Sequence, residues 1–468
     1  MNHSRITYIL EDKYKILNES YFYVRKENLV NHGTILKELK AVLHLSFNYT
    51  EKFASFENIT IHWCAKNNCL LPPFATIPSN GLHITIHPLN NLNNSFDNLF
   101  FFKNIWKNEI PTYDSFIDTK IGKLYYNHTF SSSTFLLDLS CILNAYLCSQ
   151  VKDKENIIQI ELFIDPSSKT LTIKYIWRLS FKSFQLDMYS NSLQNKSIHV
   201  DVGFLQPVSN IHEKTRYLWR KNSLYNSSAF EPYMTFFSNN FLENSTVYSE
   251  ILSPVGFHTK IRSKIVINKS LKDYCSLYIL YYLPKSVFVD KYQLQDLVQF
   301  NIGNLKKVHF IWGETNLEAP VWKLQKWGSV VLIETVSNHL NTSFFVDLPI
   351  HLRYFPPKKD MFYTSDLPFP ISFFSCESIQ DVNTIQTPFT SSWELFHQHF
   401  PQNNTFHFLH NLNHNDSFMI IHIPVVNSDH ILFVQFLTFL LILASFTYIS
   451  FKLILLILNT WKFKHKKK

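Results

Sequence analysis

The chain has 468 residues, 46% of them hydrophobic, 16% aromatic and 17% charged, with only 8 Gly. That is enough apolar material for two or three packed cores and too little charge for a disordered chain. Six of the eight formal net positive charges sit at the C-terminal end, where Lys452, Lys462, Lys464, Lys466, Lys467 and Lys468 occur without an acidic neighbour. The near-neutral remainder lacks the basic footprint of a nucleic-acid binder.

Residues 1 to 20 contain no apolar stretch of the kind that drives secretion, so the sequence offers no recognisable signal peptide. Acceptor motifs of the form N-x-S/T nevertheless recur before residue 431. They fall at Asn2, Asn18, Asn48, Asn58, Asn93, Asn127, Asn195, Asn226, Asn244, Asn268, Asn341, Asn403 and Asn415, and they are N-glycosylation candidates if this part faces an oxidising lumen. The six cysteines, Cys64, Cys69, Cys141, Cys148, Cys275 and Cys376, suit disulfides in the same compartment. Cys64 with Cys69 or Cys141 with Cys148 are the alternative, as zinc ligands, but neither pair has the spacing of a zinc ribbon.

Alternating apolar and polar residues predict strands at Asn58–Trp63 and Leu82–His87. Two longer runs, IIQIELFID and TLTIKYIWRLS, flank Pro166-Ser167-Ser168 and read as a hairpin. Further strands are expected over 264–268, 276–282, 329–335, 343–352 and 418–426. Many short strands joined by Asn, Asp, Ser and Pro turns predict a mainly β, β-sandwich-like body. A polar stretch over 239–253 divides it into an N-terminal region, 1–245, and a second domain, 246–430.

No catalytic signature is present: there is no phosphate-binding glycine loop, no nucleophile elbow, no H-E-x-x-H and no D-x-D pair. His397, His399, His407, His410 and His414 form the one metal-like cluster. Set among Asn, Gln and Phe, they read as solvated loop histidines, and neither metal nor cofactor is expected.

From Ile431 to Phe451 the chain runs uncharged, long enough for one transmembrane helix at about 20 residues per span. Residues 452–468 then form a basic tail. Asp429 precedes the helix and lysines follow it, which places the tail in the cytosol and the body in the lumen. Lys464 and Lys466 stand in the K-x-K-x-x arrangement of an endoplasmic reticulum retrieval signal, although a lysine-rich end also serves as a plain stop-transfer anchor. The rival topology, a tail-anchored protein facing the cytosol, would leave every glycosylation motif unused.

Several segments in the second half occur in a fixed order: Gly256-Phe257-His258, Cys275, Leu283-Pro-Lys-Ser-Val-Phe-Val-Asp-Lys-Tyr-Gln-Leu294, Leu317-Glu318-Ala319-Pro320, Leu348-Pro-Ile-His-Leu-Arg-Tyr-Phe-Pro356 and Cys376. In this the chain resembles the PIG-X family, whose yeast-type members are known as the protease B nonderepressible protein. The resemblance implies a noncatalytic, stabilising subunit of glycosylphosphatidylinositol (GPI) mannosyltransferase I. Its partner would be the multispanning PIG-M-type catalytic chain that adds the first mannose to the GPI precursor, with a wider role in folding or processing secretory proteins. An endoplasmic reticulum hydrolase acting on secretory cargo is the alternative. The resemblance directs attention to Pro349, His351, Arg353, Tyr354, Asp290, Tyr292, Glu318 and Pro320. In an extended strand His351 and Arg353 share one face while Ile350, Leu352 and Tyr354 share the other. Arg353 is then expected to pair with Glu318 or Asp290, or to contact the partner, with Pro356-Pro357 ending the strand.

Overall fold

A computed structural model describes residues 3–10, 14–18, 22–26, 34–45, 53–65, 80–89, 112–120, 122–130, 157–180, 183–186, 198–204, 215–220, 231–237, 241–253, 256–267, 275–336, 343–377, 400, 404–413 and 418–465. The elements before residue 238 are β1 (His3–Leu10), β2 (Tyr14–Asn18), β3 (Phe22–Lys26), β4 (Thr34–His44), β5 (Phe56–Cys64), β6 (Gly81–Pro88), β7 (Ile117–Asp118), β8 (Lys123–Asn127), β9 (Ile157–Asp165), β10 (Thr170–Ser180), β11 (Ser183–Leu186), β12 (Ile198–Phe204), β13 (Thr215–Arg220) and β14 (Glu231–Phe237). After it come β15 (Phe241–Ile251), β16 (His258–Val266), β17 (Cys275–Pro284), β18 (Val287–Phe288), α1 (Lys291–Gln299), β19 (Leu305–Gly313), β20 (Gly328–Thr335), β21 (Ser343–Leu352), β22 (Phe362–Leu367), β23 (Ile371–Glu377), β24 (Asn404–Asn411), β25 (Met419–Pro424) and α2 (Ile431–His465). The protein is mainly β with one long C-terminal helix.

The expected hairpin is β9–β10, and its turn is built by one side chain. Asp165 accepts from the backbone amides of Ser167 (2.9 Å) and Ser168 (3.2 Å) and from both hydroxyls, which holds its carboxyl below the ordinary range although burial opposes this. This hairpin lies inside an eleven-stranded sheet ordered β14-β13-β12-β1-β4-β10-β9-β5-β6-β8-β7. Its inward residues, among them Ile61, Trp63, Ile84, Leu162, Ile173 and Tyr175, form one core.

The second sheet has nine strands, ordered β18-β21-β16-β15-β24-β23-β17-β20-β19, and it folds over on itself. Ile261 and Ile265 of β16 with Leu348 and Ile350 of β21 share a core with Leu277, Ile279 and Tyr281 of β17 and Ile333 of β20. Two layers enclosing one apolar interior are the sandwich arrangement that the alternation predicts. Cys275 and Cys376, paired across β17 and β23, are joined by a disulfide 101 residues apart in sequence.

A third cluster spans the two sheets. Ile117, Leu124 and Tyr126 pack with Tyr282, Trp312, Val330 and Phe373, and the Trp327 indole donates to the Leu124 carbonyl at 3.0 Å. Burial pushes the Tyr282 hydroxyl well above the ordinary tyrosine value.

Helix α2 continues without a break past Lys452, whose ammonium lies 5.8 Å from the Tyr448 ring. Residues 428–458 are apolar enough to cross a membrane, and none of that segment is buried in the β body. On the face that carries Thr438 and Ser445, both hydroxyls donate back to the carbonyls of Val434 (2.7 Å) and Leu441 (2.8 Å). These groups are satisfied within their own helix and require no neighbouring span.

Candidate functional site

The four motif segments lie far apart in sequence and meet at the end of β21. There Leu348, Ile350 and Leu352 point inward and are almost fully buried. Each such side chain contributes about 1.5–3 kcal/mol by leaving water. Pro349 pairs with Lys260 of β16, and β18 pairs only with Leu352 and His351 on the other side. Its missing amide therefore falls where β21 is still an edge, the place a sheet tolerates proline.

Alternation fails after Leu352. The Leu352 amide donates to the Phe257 carbonyl (2.8 Å) and the Arg353 amide to the Ser286 carbonyl (2.9 Å), so the Gly256-Phe257-His258 and Leu283–Leu294 segments both grip the strand end. Arg353 is only 2% exposed. Its Nη1 donates to the carbonyls of Asn316 (2.6 Å) and Ala319 (2.8 Å), and its guanidinium lies 4.3 Å from the Phe288 ring centre. The expected carboxylate partners are not used. Glu318 is exposed, and Asp290 turns to the first turn of α1, where it accepts from the Tyr292 amide at 2.8 Å as the N-cap. Burial pulls the Arg353 guanidinium below the ordinary arginine pKa, with Glu314 opposing.

The Leu317–Pro320 segment supplies the acceptors because of an Asx turn. Asn316 Oδ1 accepts from the amides of Glu318 (3.0 Å) and Ala319 (3.2 Å), which curls the loop so that two carbonyls converge on one guanidinium nitrogen. Pro320 then precedes a short helical turn, and the Val321 amide donates to the Tyr354 carbonyl at 3.1 Å.

The Phe288 ring also stacks with His351 at 5.2 Å and 19°. His351 Nε2 lies 2.9 Å from Gln293 Oε1, and His351 Nδ1 lies 2.9 Å from His258 Nδ1. The amide oxygen only accepts, so His351 carries its proton on Nε2 and its Nδ1 accepts from His258. Burial, followed by the neighbouring His258, pushes the His351 pKa down. Arg353, Phe288, His351 and His258 thus form one layered column drawn from three of the motifs.

Tyr354 does not join the inward face as the strand reading expects. It lies beyond the end of β21, 60% exposed, with its ring 4.8 Å from that of Phe257. The strand also ends before Pro356-Pro357, because its last amides are already claimed by Phe257 and Ser286. Tyr292 on α1 and Trp322 after Pro320 are each 58% exposed. Phe288, Gln293 and Asn316 are members of the site that the sequence reading missed. The spacing of Leu294, Leu297 and Val298 after Asp290 is the signal that could have revealed α1 and its cap.

Other sequence candidates are separate from this column. Asn127 is the last residue of β8, where its Oδ1 accepts from the Thr129 amide (3.1 Å) and hydroxyl (2.9 Å) of the turn that follows. Asn58 is half-buried on β5 with its Oδ1 inside the sheet. Asn18, Asn244 and Lys464 belong to regular elements, but their side chains, together with Asn48, Asn93, Asn195, Asn226, Asn268, Asn341, Asn403, Lys466, Cys69, Cys141 and Cys148, lie outside the described residues. Cys64 is buried on β5. His407 and His410 stand three apart on β24 and so face opposite sides, while the other three clustered histidines lie outside the described residues. Among the described residues no group of three His, Cys, Asp or Glu side chains is placed to hold a metal.

Comparison with known proteins covers the same region. Residues 254–454 match the family model described as PIG-X / PBN1. The chain is similar to Protein PBN1 of Gibberella zeae, 24% identical over 71% of this chain and 67% of that one. It also resembles Protein PBN1 of Kluyveromyces lactis, 23% identical over 75% of this chain and 78% of that one. Protein pbn1 of Schizosaccharomyces pombe is 34% identical over 142 residues, which are 30% of this chain and less than half of that protein, at 43%. The match to the PIG-X / PBN1 family model, over residues 254–454, contains the whole Arg353 column.

Proposed function

We propose that this protein acts in GPI-anchor biosynthesis as a noncatalytic subunit of GPI mannosyltransferase I. In this reading α2 holds it in the endoplasmic reticulum membrane with the β body in the lumen and the lysine-rich end in the cytosol, and its partner is the multispanning PIG-M-type chain. The observation that carries the reading is the way the family's motif residues are used. Arg353 and His351 bond across to the Asn316–Ala319 loop and to Gln293, while Asp290 and Asn316 cap and curl their own segments, instead of pointing as free acids, bases or nucleophiles into an open cleft. Such a column positions a surface. Exposed aromatic residues on its rim, Tyr292, Trp322 and Tyr354, are of the type that dominates protein interfaces.

The test is recovery of the complex from membranes in mild detergent. Tyr292→Ala with Tyr354→Ala is expected to lower co-purification of the mannosyltransferase at least tenfold while leaving the thermal stability of this chain unchanged. Cells lacking the protein are expected to contain less of the partner and to accumulate GPI precursor without mannose. Normal partner levels combined with lost mannose transfer would refute a stabilising role.

A further inference from the structure

The last strand before the membrane helix does not enter the bilayer alone. β25 pairs with β22, placing Phe362 opposite Pro424. Beyond that pair the two chains stay joined: the Val425 amide donates to the Met361 carbonyl (2.9 Å) and the Lys358 amide to the Val426 carbonyl (3.0 Å). Residues 358–363 are therefore bonded to the segment that becomes α2. From Val426 only Asn427 and the helical turn Ser428–His430 intervene before Ile431, and Asn427 caps that turn by accepting from the Asp429 amide at 2.9 Å. With about 2 Å per residue in the turn and at most about 3.6 Å elsewhere, Val426 lies within roughly 15 Å of the first residue of the span, and the loop bonded to it lies about 5 Å further at most.

That loop has the wrong surface for water. Met361 is 52% exposed, Phe362 51%, Tyr363 41% and Val426 50%. Met361 also holds a left-handed backbone, φ 56°, which a long side chain adopts at a cost that glycine or asparagine would avoid. Lys358 and Lys359 adjoin the apolar group, with Asp360 paired to Lys358 at 3.0 Å. Apolar and aromatic tips beside lysine stems match the chemistry of the membrane interface, a layer of several ångströms on each side of an apolar core about 30 Å thick.

We propose that residues 358–363 and Val426 form a second membrane contact, with Met361, Phe362 and Val426 seated in the lipid headgroup layer that α2 crosses. The contact would fix the angle between the β body and the helix, which a single flexible junction leaves free. It rests on α2 spanning a membrane and is independent of the mannosyltransferase partner.

The experiment places a photo-crosslinking phenylalanine analogue at 361, 362 or 437, one at a time, in the full chain, and illuminates membranes from the cells that make it. Adducts are identified by mass spectrometry. Phospholipid adducts at 361 and 362, within about tenfold of the yield at 437, are the expected result. Lipid adducts at 437 with none at 361 and 362, or adducts at 361 and 362 to a protein, would overturn the second contact. Absence of lipid adducts at all three positions would overturn the membrane reading and this proposal with it.

Discussion

Removing the guanidinium at the centre of the column tests whether Arg353 is a structural strut. Arg353→Ala deletes two hydrogen bonds from a charged donor, at 2.6 and 2.8 Å, each contributing about 1.5–3 kcal/mol. It also deletes the stacking on Phe288 at 4.3 Å, about 1–2 kcal/mol in a site this dry. Against these stands the desolvation of Nε and Nη2, which are buried without a hydrogen-bond partner, at about 1–3 kcal/mol each. The balance is a loss of about 3 kcal/mol, because the substitution additionally strands the carbonyls of Asn316 and Ala319. For a unit of about 200 residues, 1 kcal/mol shifts Tm by roughly 2–4 °C, so a fall of about 6–12 °C is expected for the detergent-solubilised protein. Arg353→Lys should recover only part of this, since an ammonium can donate to the carbonyls but is not the planar group that stacks on Phe288. A Tm within about 1 °C of wild type for Arg353→Ala would show that burial cancels the bonds and would refute the strut.

Cys275→Ser with Cys376→Ser opens a loop spanning 101 residues, and a loss of about 2–5 kcal/mol, read as a lower Tm or as destabilisation by reductant, is expected. Asp290→Ala removes the N-cap of α1 and should cost about 1 kcal/mol, visible as faster hydrogen exchange confined to residues 291–294. The third perturbation is acidification. His62 is fully buried, and desolvation lowers its pKa to about 4, with Glu161 opposing and Lys174 assisting. An unfolded histidine binds protons near pH 6.5, so the stability that neutral His62 contributes is present above that value and lost as pH falls toward 4. Between pH 7 and 5 the loss is about 2 kcal/mol. His62→Phe should flatten the Tm profile over that range, and an unchanged slope would assign the acid sensitivity to other groups.

The parts of the fold legible in the sequence are those governed by local patterning. The uncharged run from Ile431 marks α2, alternation marks β5, β6, β9 and β10, and short apolar runs mark β17 and β20, whose residues are buried on both faces. The helix α1 is also written there, in Asp290 and the apolar spacing of Leu294, Leu297 and Val298 after it. The β12 strand alternates locally, as Ile198-His-Val-Asp-Val-Gly-Phe, but its parallel pairing with β1 nearly two hundred residues earlier has no local signal, since register across such distances is set by which surfaces exclude water together.

The column divides in the same way. Its residue types and their order are fixed by the chain, and the exposed or buried character of Leu348, Ile350 and Leu352 follows from alternation. The partner of Arg353 does not. A charged side chain suggests a carboxylate, and Glu318 and Asp290 were the visible choices, yet the acceptors are the carbonyls of Asn316 and Ala319. Every residue carries a backbone carbonyl, so such an acceptor has no signature in sequence; only the curl of the loop around Asn316 aims two of them at one nitrogen. Tyr354 leaves the inward face for a related reason: the strand ends where tertiary partners, Phe257 and Ser286, take its last amides, and periodicity stops with the ladder that produces it.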